Sequence, residues 1–131
     1  MPQKSKSEPR RPRGNDEGRV LTRAVIHAAQ RLEVSQNALA AIIGVSEPTV
    51  SRMRRGSFAL ERDKGKSFEL AALFVRLASS LDAAVHGDQV AAREWLKKEN
   101  VALRGRPLDL IQSIGGLVDV VHYLVACSEL P

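Results

Sequence analysis

Two short helical patterns joined by a tight turn lie between positions 35 and 56, and they constrain the fold more than any other feature. Ser35 and Ser46 each stand where a side-chain oxygen can accept a hydrogen bond from the first turn of a helix. Gly44 stands where a glycine with positive φ ends a helix, and Gly56 ends the second pattern. The spacing therefore predicts a helix-turn-helix.

The apolar residues of this segment are placed to hold two crossing helices together. Leu39, Val45 and Val50 fill the wedge between the helices, and Ala40 is small where they approach closely. Pro48 is compatible with the first turn of the second helix, because the N–H groups of that turn have no partner within the helix. The arrangement leaves one face of the second helix free for the major groove of DNA.

The rest of the chain is also predicted to be helical. Hydrophobic residues make up 44% of the sequence but aromatic residues only 4%, so the core consists mainly of Leu, Val, Ile and Ala. Ala and Leu favour helix, and the i, i+3, i+4 spacing favours helix even in the valine-rich stretch near 117–125. Further helices are expected over residues 20–32, 67–86, 88–98, 107–115 and 116–125. The predicted fold class is all-α.

The charge distribution divides the chain into three regions. The net charge is +3 in residues 1–19, +4 in residues 20–66 and −2 in residues 67–131, which together make the +5 of the whole chain. The first region has almost no apolar side chains, so we expect a disordered basic tail. A basic half beside an acidic half is typical of a nucleic-acid-binding end joined to a different task. We therefore expect residues 20–66 to bind DNA and residues 67–131 to form a small helical domain with another role.

The polar residues give no sign of an enzyme. His27, His86 and His122 lie in separate predicted helices without metal-ligand spacing, and Cys127 has no second cysteine to form a CxxC motif. The pair Gly115–Gly116 lacks the lysine and the spacing of a phosphate-binding loop. We expect no catalytic site, no metal and no cofactor.

The apolar runs of the sequence are all short. Residues 1–19 contain no apolar stretch that resembles a secretory signal, and no run reaches the roughly 18 residues of a membrane span. The single cysteine also excludes an internal disulfide. We expect a soluble, cytoplasmic protein.

The run S-Q-x-x-L-A-x-x-x-G-V-S-x-x-T-V-S at residues 35–51 resembles the Xre-type, phage-repressor-like helix-turn-helix family. The resemblance implies operator DNA as a partner. It also implies a homodimer or a larger assembly, because such units gain affinity as pairs on half-sites about one helical turn apart. The residues that it indicates for DNA binding are Gln36, Ser46, Glu47, Thr49, Ser51, Arg52, Arg54 and Arg55. Ser46 is either a structural cap or a DNA contact.

Each of these residues has a chemical role that its type supports. Arg52 can fork onto guanine O6 and N7, which is worth roughly 1–3 kcal/mol of base discrimination, and Glu47 can accept from a cytosine amino group. Arg54 and Arg55 are expected to meet phosphates, which makes binding depend on salt. Gln36 either binds a phosphate or orients the recognition helix.

The second half of the chain carries an ordered set of short motifs. Ala92 and the pair Trp95–Leu96 are followed by Asn100, by the run 103–107, which is a close variant of L-x-G-x-x-P, and by a helix that begins at Gly116. This order resembles the toxin-binding domain of the MbcA/ParS/Xre antitoxin family.

The second resemblance implies an antitoxin of a bacterial type II toxin–antitoxin pair. Toxins bound by this family are often RES-domain proteins that degrade NAD, or related toxins that transfer ADP-ribose. The antitoxin blocks the active site of its toxin and, together with the toxin, represses their shared promoter. The residues indicated for toxin binding are Arg104, Arg106, Ser128, Glu129, Leu130 and Pro131.

Two other functions fit the same sequence. In the first, the chain is a stand-alone Xre-type repressor whose C-terminal half only dimerises. In the second, it is a pure protein inhibitor with a vestigial helix-turn-helix. The second alternative has one supporting feature, which is the apolar Pro48 at a position where the family often carries a polar residue.

Overall fold

The structure is a computed structural model, and it describes residues 14–128. All regular elements of this part are helices, which confirms the predicted all-α fold. None of the helices is both long enough and apolar enough to cross a membrane. In chain order they are α1 (Gly14–Arg31), α2 (Gln36–Ile43), α3 (Glu47–Arg55), α4 (Ser67–Ala84), α5 (Gln89–Lys97), α6 (Pro107–Leu110) and α7 (Ile114–Ser128).

The predicted helix-turn-helix is confirmed at both ends of both helices. Ser35 Oγ accepts a hydrogen bond from Ala38 N at 3.0 Å, and Ser46 Oγ accepts one from Thr49 N at 3.2 Å. Gly44 and Gly56 close α2 and α3 in the left-handed conformation, with φ of 75° and 81°. In each case the residue type supplies what the helix end requires, a side-chain acceptor or a backbone that tolerates positive φ.

Helix α1 begins earlier than the sequence predicts. Residues 14–19 are helical, so the expectation of disorder is wrong for them, while residues 1–13 lie outside the described part. The physical reason is a close contact with the loop after α3. Thr22 Oγ1 donates to Gly18 O at 2.6 Å and accepts from Leu60 N at 2.9 Å, and Leu60 is buried. A β-carbon at Gly18 would lie 1.9 Å from Leu60 O, so this contact requires glycine.

Helix α4 lies at the centre of the molecule. It packs against α1, α2 and α7. Phe74, Leu77 and Leu81 are fully buried along it, and they belong to one hydrophobic cluster that spans both halves of the chain. The aliphatic character of this cluster agrees with the composition.

Helix boundaries in the second half differ from the predictions in two places. Helix α4 ends at Ala84, because His86 and Gly87 both adopt positive φ, and Asp88 then caps α5 as predicted. The expected helix over 107–115 is wrong, since α6 is a single turn and α7 already begins at Ile114. At this junction a β-carbon on Gly116 would lie 1.9 Å from Leu110 O, so glycine is needed for the close approach.

Candidate functional site

Helix α3 turns an apolar face inward and a basic face outward. Val50 and Met53 are buried against the rest of the N-terminal helices. Arg52, Arg54 and Arg55 are exposed in the last turns of the same helix. The three guanidinium groups are therefore accessible to an anionic partner, as a recognition helix requires.

Gln36 connects the first turn of α2 to both ends of α3. Its Nε2 donates to Glu47 O at 3.2 Å, and its Oε1 accepts from Arg54 Nη1 at 3.4 Å. These bonds correspond to the second of its two expected roles, the orientation of the recognition helix. A phosphate contact by Gln36 stays a prediction.

The remaining polar side chains of α3 pair with close neighbours. Arg52 Nη2 donates to Thr49 Oγ1 at 3.2 Å, and Arg55 Nη1 donates to Ser51 Oγ at 2.9 Å. The hydroxyls of Ser46 and Thr49 are 2.8 Å apart. The structure thus distributes these five predicted DNA-binding residues along α3, from its N-cap Ser46 to its last residue Arg55, and the hydroxyls of Thr49 and Ser51 hold the two arginine side chains.

Asn37 contacts a predicted site residue, although the sequence did not indicate it for the site. Its Nδ2 donates to the Glu47 carboxylate across the turn. The carboxylate is therefore already hydrogen-bonded, so contact with a cytosine amino group would require this bond to be shared or broken. No sequence signal places Asn37 there, because the contact depends on how α2 and α3 cross.

A small closed loop joins α5 to α6. Asn100 N donates to Gly105 O at 2.9 Å, and Asn100 Oδ1 accepts from Leu103 N at 3.0 Å. Within the loop Arg104 adopts a left-handed conformation with φ of 64° and remains exposed. The loop is held by its own hydrogen bonds and presents the Arg104 side chain to solvent.

Arg106 forms a two-point ion pair with Asp109. Arg106 Nε lies 2.9 Å from Asp109 Oδ2, and Nη2 lies 2.7 Å from Oδ1. This hydrogen bonding lowers the pKa of Asp109 and raises the pKa of Arg106 above their ordinary values. The Arg106 side chain is thus engaged at the start of α6, in contrast to Arg104.

The other residues predicted for toxin binding lie at the end of the chain. Ser128 is the last residue of α7, and Glu129, Leu130 and Pro131 lie outside the described residues. Closer to the core, Leu96 is buried, and Trp95 is partly buried and stacks on Tyr123 with ring centroids 6.3 Å apart. The aromatic pair connects α5 to α7.

Two family models match this chain in tandem. Residues 13–76 match the antitoxin Xre-like helix-turn-helix domain, and residues 80–129 match the antitoxin Xre/MbcA/ParS C-terminal toxin-binding domain. The chain belongs to the Xre/MbcA/ParS antitoxin family. The first matched range ends and the second begins within α4, the helix that packs against both halves.

One solved structure extends the likeness to the arrangement of both halves. A chain in the crystal structure of the M. tuberculosis MbcT–MbcA toxin–antitoxin complex superimposes with a TM-score of 0.61 and 26% sequence identity. The match covers 84% of this antitoxin and 95% of that chain. No curated protein matches the sequence.

Proposed function

We propose that this antitoxin neutralises a RES-domain toxin that degrades NAD, or a related toxin that transfers ADP-ribose, and represses its own promoter. The observation that carries the proposal is the tandem of a helix-turn-helix domain and a toxin-binding domain on one α4-centred core. In this proposal the chain acts by binding and is not an enzyme. It works as a homodimer or as a larger complex with the toxin.

On the DNA side, α3 enters the major groove and Arg52 reads a guanine. Arg54 and Arg55 neutralise phosphates, and Gln36 fixes the angle of α3 through Glu47 and Arg54. The hydrogen bonds that Arg52 donates to Thr49 and Arg55 donates to Ser51 restrict the arginine side chains before DNA arrives, which lowers the entropy cost of ordering them at the interface.

On the toxin side, Arg104 is the stronger of the two arginine candidates. It is exposed, and within residues 14–128 its side chain has no ion pair, whereas Arg106 is engaged by Asp109. We therefore assign a direct toxin contact to Arg104 and a positioning role at the start of α6 to Arg106. Toxin contacts by Ser128, Glu129, Leu130 and Pro131 are also part of this proposal.

The rival proposal is a stand-alone repressor whose C-terminal half only dimerises. Co-expression with the product of the adjacent gene separates the two, with cell growth and cellular NAD as the readouts. The antitoxin proposal predicts that the neighbour alone stops growth and depletes NAD, and that this chain restores both and co-purifies with it. A harmless neighbour that forms no complex, together with intact operator binding, would support the stand-alone repressor.

A further inference from the structure

A groove runs between α1 and the C-terminal half of α3, where it includes two of the predicted DNA-binding residues, Arg54 and Arg55. It consists of two adjoining clefts of about 310 and 630 Å³, which share Arg23, Met53 and Gly56. Arg19 lines the first cleft, and Arg54 and Arg55 line the second. We refer to this feature as the α1–α3 groove.

The charge lining the α1–α3 groove has one sign. Four arginines line the two clefts, and neither cleft is lined by an aspartate or a glutamate. The Arg23 side chain is exposed and has no ion pair or hydrogen-bond partner in the described part of the chain. Arg19 Nη2 forms an ion pair with Asp16 Oδ1 at 3.3 Å, and both of these side chains are at least half exposed. Such a groove favours an anionic occupant.

The helical repeat explains why α1 contributes to the groove. Arg19, Arg23 and His27 follow one another at steps of four residues, so they lie on one face of α1. The adjacent face carries Thr22 and Val25, which are buried in the contacts of the core. The face of α1 that carries Arg19, Arg23 and His27 therefore stays exposed beside α3 and is not buried in the core.

We infer that the α1–α3 groove is a second phosphate-binding strip, which holds the DNA backbone next to the major groove that α3 enters. The inference rests on the proposed DNA-binding function and adds Arg19 and Arg23 to its contacts. One observation favours DNA over an acidic protein segment. The groove is continuous with α3 through Arg54 and Arg55, which are already assigned to phosphates, and guanidinium forks can bind phosphate oxygens along the same strip.

Phosphate contacts act on every DNA sequence alike, and this property makes the inference testable. The test compares the wild type with Arg19→Gln/Arg23→Gln, using Arg76→Gln on exposed α4 surface as the matched control. Affinity is measured against salt concentration on a duplex of the chain's own upstream region and on a scrambled duplex of equal length. Glutamine is about as good a helix former as arginine, so the thermal unfolding midpoint should be unchanged.

The slope of log affinity against log salt concentration should become less steep by about 1.8 in the double variant. This is about 0.9 for each phosphate contact removed. We also expect the same loss of affinity on both duplexes, and a loss of about 0.9 in slope for Arg23→Gln alone. The control Arg76→Gln should keep the slope of the wild type.

An unchanged slope in the double variant would overturn the inference, and so would a loss confined to the upstream duplex. Loss of toxin binding with an unchanged slope would overturn it too, and would assign the groove to a protein partner. A wild type that binds neither duplex at low salt would remove the proposed DNA-binding function and the strip together. In contrast, a wild type that binds both duplexes and shares its slope with the double variant removes only the strip.

Discussion

At the residue scale, the side chains expected to read DNA are the ones that the fold leaves outside its core. Arg52 is exposed on α3, while Val50 and Met53, on the opposite side of the same helix, are buried. A substitution at Arg52 therefore removes a side chain from the proposed interface without opening a cavity. The residue is suited to a test that separates binding from folding.

We expect Arg52→Ala to weaken binding to the operator by roughly 1–3 kcal/mol, because a two-point contact with guanine is lost. Fluorescence anisotropy with labelled duplexes measures the change, and urea denaturation shows whether the fold is intact. Arg76→Ala removes an exposed arginine from α4 and should bind as the wild type does. Equal affinities for Arg52→Ala and the wild type would exclude base reading by Arg52.

Arg104 offers a corresponding test on the toxin side. Asparagine tolerates the left-handed backbone of this position better than most residues, so Arg104→Asn removes the charge without strain. We expect a loss of toxin affinity of at least about 1 kcal/mol, measured by calorimetry with the purified toxin, and unchanged DNA binding. Lys98→Asn is the control, because it removes another exposed positive charge from the same half of the chain. An equal loss of toxin affinity in both variants would indicate a non-specific electrostatic effect.

At the element scale, close backbone approaches fix how the helices join. Gly116 and Gly115 are neighbours in the first turn of α7, yet only Gly116 faces the backbone of α6. A β-carbon on Gly116 would lie 1.9 Å from Leu110 O, whereas one on Gly115 has no atom within 4 Å. The two glycines therefore make a matched pair.

We expect Gly116→Ala to destabilise the protein by about 1–3 kcal/mol, because the junction of α6 and α7 must open to admit the methyl group. Gly115→Ala should leave stability unchanged or raise it by up to about 1 kcal/mol through helix propensity. Urea denaturation followed by circular dichroism gives both free energies of unfolding. Similar values for the two variants would show that α6 and α7 do not approach as closely as described.

Helix bounds that depend on local signals can be predicted from the sequence. Bounds that depend on contacts with residues far along the chain cannot. Serine caps and closing glycines are local, so the bounds of α2 and α3 were predicted correctly. The start of α1 depends on Gly18 meeting Leu60 far along the chain, and the split between α6 and α7 depends on Gly116 meeting Leu110. The hydrogen bond from Asn37 to Glu47 was missed for the same reason, since it forms only when two helices cross.

At the scale of the whole molecule, the two halves share one core and are linked by polar contacts. Helix α4 packs against α1, α2 and α7, and Arg93 Nε on α5 donates to Arg31 O at the end of α1 at 3.0 Å. The Nη1 atom of Arg31 also forms an ion pair with Asp82 Oδ1 on α4 at 3.7 Å. The helix-turn-helix and the proposed toxin-binding surface are therefore built on one connected body but formed by different elements.

We propose that this antitoxin binds operator DNA and its toxin through separate surfaces. The most direct measurement is light scattering coupled to size exclusion, applied to a mixture of the chain, the purified toxin from the adjacent gene and the operator duplex. We expect a ternary complex that contains all three, with less DNA retained in it for Arg52→Ala and less toxin retained in it for Arg104→Asn. Two binary complexes that never combine would contradict it, because they would show that DNA and toxin compete for one surface.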